Sequence, residues 1–152
     1  MTIEIDTQID AVTGDLVVPT QLITGLPLIQ QRIRRRLLRG TGEWFLDPVN
    51  VGLPLIGWRD QKPPNVALIV AQLQAEIREV PGVVATQNFQ GTHDPAAHRL
   101  TVTGDVIVDD GGVTAVVVTA PTAGARNAMV FGVFFSSRSI QGAIPRPSTR
   151  RP

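Results

Sequence analysis

Two short clusters contain residue types that acid–base or metal chemistry uses. Glu43 and Asp47 are carboxylates four residues apart, a pairing that serves general acid–base catalysis or glycoside hydrolysis in other proteins. His93, Asp94 and His98 lie in "HDPAAH" and include side chains that bind metal ions. Glycine and proline flank the first pair, which favours helix capping or binding to backbone amides. The second cluster lies in a proline and alanine loop with no further ligand in view. We therefore expect a polar hairpin loop there, and no catalytic residue, metal or cofactor.

The rest of the chain has no motif of an enzyme or a nucleotide-binding protein. There is no Gly-x-Ser-x-Gly, and "GTGEW" at 40–44 lacks the lysine and the spacing of a phosphate-binding loop. The absence of cysteine excludes disulfides and thiolate metal sites. No apolar run approaches the roughly 20 residues of a membrane span, and the acidic N-terminus is unlike a signal peptide. We expect a soluble, non-enzymatic protein that stays inside the cell that makes it, with neither a membrane nor a small-molecule substrate as partner.

Arginine is concentrated in "RIRRRLLR", which has five arginines in eight residues. Three interpretations stay open. The guanidinium groups could bind nucleic-acid phosphates, form an exposed helix face, or bind the carboxylates of a protein partner, for which arginine is well suited. The cluster spans barely two helical turns and the body is acidic, which makes nucleic acid an unlikely partner. The candidate partner-binding residues are Arg32, Arg35, Arg36 and Arg39.

The net charge of +1 conceals an uneven distribution. Residues 1–120 carry 9 Lys and Arg against 13 Asp and Glu, a balance of −4, whereas residues 121–152 carry 5 Arg and no acid. An acidic body with a basic tail is typical of a tail that meets another molecule. The length of 152 residues and the 43% hydrophobic content suit one domain with a core. We place a domain at 1–120 and an extended basic arm at 121–152.

Two segments with helical periodicity would position these residues. The first runs from an N-cap at Thr24 to a stop at Gly40, and its apolar stripe is Leu26, Ile29, Ile33 and Leu37. The second is capped by Asn65 and ends at Pro81-Gly82, and its stripe is Val66, Ile69, Leu73, Ile77 and Val80.

Period-two alternation predicts strands on either side of the helices. We expect an N-terminal hairpin in which 3–9 pairs back with "LVVP" at 16–19. After Gly82 we expect strands at 83–89, 99–108 and 113–120, a polar loop at 90–98, a turn at 109–112 and a possible bulge at Gly104. The predicted fold class is α+β, with two helices packed on a small, mostly antiparallel sheet and an extended C-terminal arm.

The segment "GTGEWFLDPVNVGLPLIGW" at 40–58 holds both tryptophans of the chain. Its glycines and prolines break regular elements, yet it is too apolar for a solvated loop. We expect a structured connection that folds back on the core, with Trp44 and Trp58 locking it by burying large area. Glu43, Trp44 and Phe45 are further candidate contacts with a partner.

The apolar segment "MVFGVFF" at 129–135 has two interpretations. It is too apolar to be left in water. In the first, Met129, Phe131, Phe134 and Phe135 enter a groove on a neighbouring protein while the arginines of the arm steer them to an acidic surface. In the second, the segment adds a strand to its own domain.

The order Gln30-Gln31-Arg32-Ile33, then Arg36-Leu37-Leu38, then "GEWFLDPVNVGLP", resembles a known family. It is similar to the small baseplate wedge proteins of contractile phage tails, also called sheath initiators, and above all to the variant in Mu-like phages. "VPGV" at 80–83 and "RLTVTGDVIVDDGG" at 99–112 fit the same pattern. The resemblance covers about residues 15–119, and its most specific block is "GEWFLDP".

The resemblance implies a structural role in the virion. Such proteins are α+β domains similar to the conserved domain of tail sheath proteins. They bind wedge proteins at the tail baseplate, next to the tube or hub, and offer sheet edges to the first sheath ring. In this chain we expect the exposed edge among Leu100–Val108 and Val113–Thr119. The implied location is the tail baseplate, after synthesis in the host cytoplasm. The family's Glu-Pro-Arg after the second helix is replaced here by "EVPG" at 79–82, so that wedge contact is not carried over.

Overall fold

The computed structural model describes residues 6–10, 13, 15–16, 22–42, 46, 52–123 and 131–138. Its elements in chain order are β1 (Asp6–Thr7), β2 (Leu22–Ile23), α1 (Gly25–Leu37), α2 (Leu55–Asp60), α3 (Val66–Arg78), β3 (Val83–Asp94), β4 (Arg99–Val108), β5 (Val113–Pro121) and β6 (Gly132–Arg138). Helices and antiparallel strands confirm the predicted α+β class.

The main sheet has four antiparallel strands in the order β3-β4-β5-β6. Burial alternates along β4 and β5, because one face of the sheet is covered by helices. Helix α3 packs against β3, and α1 packs against α3 and β6. The approach of α3 is so close at Gly91 that a Cβ atom there would collide with Val66 and Val70.

The core lies between the two long helices and the sheet. Their apolar stripes are buried as predicted except at the first positions, Leu26 and Val66, which are partly buried, and Leu28 is buried as well. The fully buried large side chains are Ile33, Leu37, Leu53, Ile69, Leu73, Ile77, Leu100, Val102, Val106, Val108, Val116 and Val118. The Asn65 side chain accepts a hydrogen bond from the Leu68 amide at 3.1 Å, which confirms the predicted cap of α3. Thr24 precedes α1 but makes no side-chain cap bond.

The prediction of a polar loop at 90–98 is wrong for residues 90–94. Strand β3 continues to Asp94 and pairs with β4 through Asp94 and Arg99, so only 95–98 form the turn. The Asp94 carboxylate explains how so short a turn closes, because it accepts the backbone N–H groups of Ala96 and Ala97 at 3.0 Å each.

The irregularity expected at Gly104 lies on the neighbouring strand instead. Gly104 pairs regularly with Val116, while the register between β3 and β4 shifts between Gln87 and Gln90. The Phe89 ring lies over Gly104, where a Cβ atom would collide with it. Gly104 is therefore required for the close approach of an aromatic ring rather than for a bulge of its own.

The N-terminal hairpin is confirmed at its turn but not in its full pairing. Ile9 bridges Leu16, and the Asp10 amide donates to the Asp15 carbonyl at 2.8 Å. Strand β1, however, pairs with β2, beyond the segment "LVVP" that was expected to be its partner. Residues 17–20 lie outside the described residues.

The last part of the connection before α3, residues 52–58, folds back on the core, as predicted, whereas 43–45 and 47–51 lie outside the described residues. Leu53 and Trp58 are buried, and the Trp58 indole N–H donates to the Gln72 side chain at 2.8 Å. Leu55–Asp60 nevertheless form helix α2, although regular structure was not expected beside Pro54 and Gly57. The proline is compatible because it precedes the first turn.

Part of the segment predicted as an extended arm, 121–152, is instead a strand of the main sheet. Gly132–Arg138 pair with β5 in the same sheet, so the domain extends past residue 120. Val133 is buried, and Phe131 and Phe135 pack against the core. The second interpretation of the segment, a strand added to its own domain, is the arrangement that the structure shows. Phe131 and Phe135 are only partly buried, so their contact with a partner stays a prediction. Residues 124–130, including Met129, and 139–152 lie outside the described residues.

The packing of α3 makes a direct prediction about stability. Leu73→Ala should lower the free energy of unfolding by about 2–5 kcal/mol, because it leaves a cavity between helix and sheet. Leu68→Ala, on the same helix but 46% exposed, should change it far less. Chemical denaturation of both variants tests this, and equal losses would contradict the described orientation of α3.

Candidate partner interface

Helix α1 brings the four predicted arginines together. Arg32, Arg35, Arg36 and Arg39 line one surface groove of about 190 Å³, whose other lining residues are Val80 and Pro81. The helical spacing of three and four residues places Arg32, Arg35 and Arg36 on one face of α1, beside the buried stripe, and Arg39 follows the end of the helix. We call this feature the arginine groove. Tertiary structure adds its other wall, which comes from the end of α3 and the turn after it.

Two carboxylates of the same chain hold two of these arginines. Arg35 Nη1 lies 3.0 Å from Asp6 Oδ2, and Arg36 Nε lies 2.7 Å from Glu76 Oε2. The side chains are 55% and 39% exposed on the arginine side, so solvent screens both pairs and they contribute little to stability. Their effect is to fix the guanidinium groups in place around the groove.

The predicted sheet edge is wrong. It was expected among Leu100–Val108 and Val113–Thr119, but these segments form the inner strands β4 and β5. Within the described residues, the outer strands of the main sheet are β3 and β6. The β3 edge is interrupted by two register shifts, and Asn88 there has a φ of 56°. The β6 edge keeps one uninterrupted register with β5 along its full length.

One aromatic side chain of β6 faces solvent. Phe134 is 61% exposed, whereas Val133 beside it is 2% exposed, as strand alternation requires. Phe134 is thus the described member of the predicted C-terminal set that remains available to a partner. Glu43, Trp44 and Phe45 lie outside the described residues, as does Asp47.

The "HDPAAH" residues have local structural roles. His93 Nε2 lies 3.3 Å from the Thr122 hydroxyl, and Asp94 caps the turn amides. His98 adopts a φ of 48° within the turn. Across the described ranges, no group of three or more His, Asp or Glu is arranged to bind a metal ion.

Two glutamines of α1 carry contacts that residue patterns did not single out. The Gln31 amide accepts the Ile9 N–H and donates to the Thr7 carbonyl, both at 2.9 Å, so it holds the N-terminal segment by its backbone. Gln30 donates to the Thr114 hydroxyl of β5 at 2.9 Å. A cavity of about 510 Å³ lies between that segment, α1 and Phe135. The only signal in the sequence was their place in the family resemblance.

Within the described residues, these features are a small α+β fold in which β6 is an outer strand of the sheet and four arginines line a surface groove. In the part of the chain that the structure describes, none of the helices is long and apolar enough to cross a membrane.

Residues 5–111 match the family of contractile injection system sheath initiators. The chain belongs to this family, which confirms the resemblance drawn from its motifs, and its role is sheath initiation in a contractile injection system. A comparison with curated proteins gave no match.

Because the ion pairs of the arginines are exposed, we expect the arginines to be dispensable for folding. Replacing Arg32, Arg35 and Arg36 by Gln should lower the free energy of unfolding by no more than about 1 kcal/mol for each ion pair lost. Ile33→Ala on the buried face of the same helix should cost more, because it opens a cavity. If the triple variant proves the less stable of the two in denaturant titrations, the arginine face is a structural element of the fold.

Proposed function

We propose that this sheath initiator lies in the baseplate of a contractile phage tail, where it links wedge proteins to the first sheath ring. Its partners are then the wedge proteins on one side and the tail sheath protein on the other, next to the tube. Family membership supports the sheath-initiating part of this proposal. The observation that carries the finer part is the regular outer edge of β6.

An outer strand presents backbone N–H and C=O groups that another strand can pair with. Pairing of this kind gives affinity through the main chain and does not need a deep side-chain pocket. A seven-residue strand such as β6 offers room for several such bonds. We propose that a sheath subunit adds a strand here, and that Phe134 packs against the added strand.

The opposite edge is less suitable for strand addition. Register shifts in β3 twist the strand and interrupt the row of pairing groups. Natural proteins use such irregularities to keep an edge from pairing. The two edges therefore differ in a way that gives the sheet one direction of growth, from β6 outward.

We further propose that the protein has no catalytic activity. Support comes from His93, which lies beside the Thr122 hydroxyl, and from Asp94, which accepts two backbone N–H groups of a turn. The contribution of the protein to assembly would then be geometric: a stiff domain that offers a fixed edge to the sheath.

A charged residue on the β6 edge should block sheath growth. Phe134→Lys places a cation that the incoming strand must desolvate, and it should leave folding intact because Phe134 is 61% exposed. Val84→Lys is the matched control, since Val84 lies on β3 and is 66% exposed. Purified baseplate–tube complexes containing each variant are mixed with sheath protein and examined by electron microscopy.

We expect bare tubes with Phe134→Lys and sheathed tubes with Val84→Lys. The reverse result would assign sheath addition to β3. If both variants are folded, as shown by circular dichroism, and both give sheathed tubes, then the sheath does not attach by strand addition at either edge.

A further inference from the structure

We propose that the strand which a sheath subunit adds at β6 places a large apolar side chain, of the size of Leu, Ile, Met or Phe, in the cavity between α1, the N-terminal segment and Phe135. We call this space of about 510 Å³ the α1 cavity. The identity of the partner rests on the proposed function. The apolar chemistry of the occupant rests on the cavity itself, and the closing experiment separates the two.

The α1 cavity lies on the β6 side of the helix layer. Its helical wall is one stripe of α1 with a spacing of three and four residues, namely Pro27, Gln30, Gln31, Arg34, Arg35 and Leu38. Pro27 and Arg36 are separated by roughly two and a half helical turns, so the stripe is on the opposite side of α1 from the contact between Arg36 and Glu76 of α3. The stripe is therefore turned away from α3, and Phe135 of β6 completes the wall.

A strand added at β6 would pass along this space. Helix α1 bonds to β5 through Gln30 and packs against β6. A helix with its side chains is about 10 Å across, whereas neighbouring strands lie about 4.8 Å apart, so a strand next to β6 still lies beside α1.

Strand alternation determines which side chains of the added strand enter the cavity. Phe134 is 61% exposed on the outer face of β6, whereas Phe135 lines the cavity. Side chains of the added strand alternate in the same way between the two faces of the sheet. Those on the Phe135 face point toward α1, and those on the Phe134 face stay outside.

Three polar side chains of the cavity wall already have partners in the chain. The Gln31 side chain binds the backbone of the N-terminal segment, and Gln30 donates to the Thr114 hydroxyl. Arg35 pairs with Asp6 at 3.0 Å. Because an occupant need not satisfy these groups, it meets mainly their carbon atoms, and an apolar side chain suits that surface.

Apolar residues from separate elements form much of the remaining wall. Ile9, Ile23, Leu38 and Phe135 all line the cavity, and Leu38 is 40% exposed in spite of its size. The volume of about 510 Å³ lies in the range of roughly 300–1,000 Å³ that is usual for binding pockets. Arg34 also lines it, and its long side chain allows the charge to stay in water while the methylene groups cover the wall.

Thiol labelling tests the occupant, because the chain contains no cysteine. Leu38→Cys puts a thiol on the cavity wall, and Ile23→Cys puts a second one on the same cavity in case the first variant does not fold. Phe134→Cys reports the outer face of β6. Leu68→Cys is the matched control, since Leu68 lies on α3 and is 46% exposed.

Baseplate–tube complexes that contain each variant are pulsed with fluorescein maleimide, with and without sheath protein. Labelling of this chain is read from a denaturing gel against wild-type complexes. With sheath protein at about ten times its half-saturating concentration, about a tenth of the sites are unoccupied. We therefore expect labelling at Leu38→Cys and Phe134→Cys to slow about tenfold, and labelling at Leu68→Cys to stay within about twofold.

The other outcomes separate this inference from the proposed function. Protection of Phe134→Cys without protection of Leu38→Cys would overturn the cavity assignment and leave strand addition in place. Protection of Leu38→Cys alone would overturn the added strand as the occupant. Protection of neither would overturn strand addition at β6, and this inference with it. Equal protection that includes Leu68→Cys would overturn it too, since the sheath would then shield the surface in general.

The state of the cavity before sheath addition is tested by the same reagent. A thiol introduced by Leu38→Cys or Ile23→Cys should react with maleimide in folded complexes that lack sheath protein. Failure of both to react would overturn the inference, because the cavity would then be filled by the chain itself or by another baseplate protein.

A second experiment fills the cavity in advance. Complexes with Leu38→Cys or Leu68→Cys are modified with pyrene maleimide before sheath protein is added, and wild-type complexes treated in the same way report effects on other proteins. We expect the fraction of sheathed tubes to fall at least about fivefold for modified Leu38→Cys and to match treated wild type for modified Leu68→Cys, because an occupied cavity cannot accept a further side chain. Normal sheathing of Leu38→Cys, with modification confirmed by mass, would overturn the inference.

Discussion

The structure depends on burial of one face of the sheet by two helices. Ile33 and Leu37 of α1 and Leu73 and Ile77 of α3 are almost inaccessible to solvent, and they close over the valines of β4 and β5. Burial of such side chains is the main favourable contribution to folding, at about 25 cal/mol per Å² of apolar surface removed from water. This contact uses one stripe of each helix and one side of the sheet, and a further side of α1 holds the N-terminal segment.

The polar side of α1 illustrates how a helix serves two purposes at once. Gln30 bonds to β5 and Gln31 bonds to the backbone of the N-terminal segment, so the helix joins parts of the chain that are distant in sequence. Further along the same helix, Arg36 reaches Glu76 of α3. The exposed ion pairs contribute little free energy, but they orient the charged groups that a partner would meet. These contacts connect α1 to the N-terminal segment, to β5 and to α3 without enlarging the core.

Sheet topology decides where a neighbouring protein can attach. An antiparallel sheet connected in chain order places its first and last strands at the edges, and here these are β3 and β6. The two-residue periodicity identifies strands but does not show which strands are neighbours in the sheet, so the sequence pattern does not reveal that β4 and β5 lie inside it. The bulged pairing of β3 distinguishes the two edges further. One of the two register shifts lies beside the Phe89 ring, which packs over Gly104 in a contact between strands that no local pattern encodes.

The sequence alone determined the α+β class, the two long helices with their buried stripes, the Asn65 cap, the arginine face and the family. Each of these rests on local periodicity, capping chemistry or a contiguous motif. Tertiary structure alone decided that β3 runs on to Asp94, that Leu55–Asp60 is helical and that β6 returns to its own sheet. The hydrophobic residues of an apolar strand such as "VFF" can be buried equally well in their own domain or in a neighbouring protein. Only the presence of an open β5 edge beside it settles the choice, because pairing there buries Val133 and satisfies the backbone groups of both strands at once.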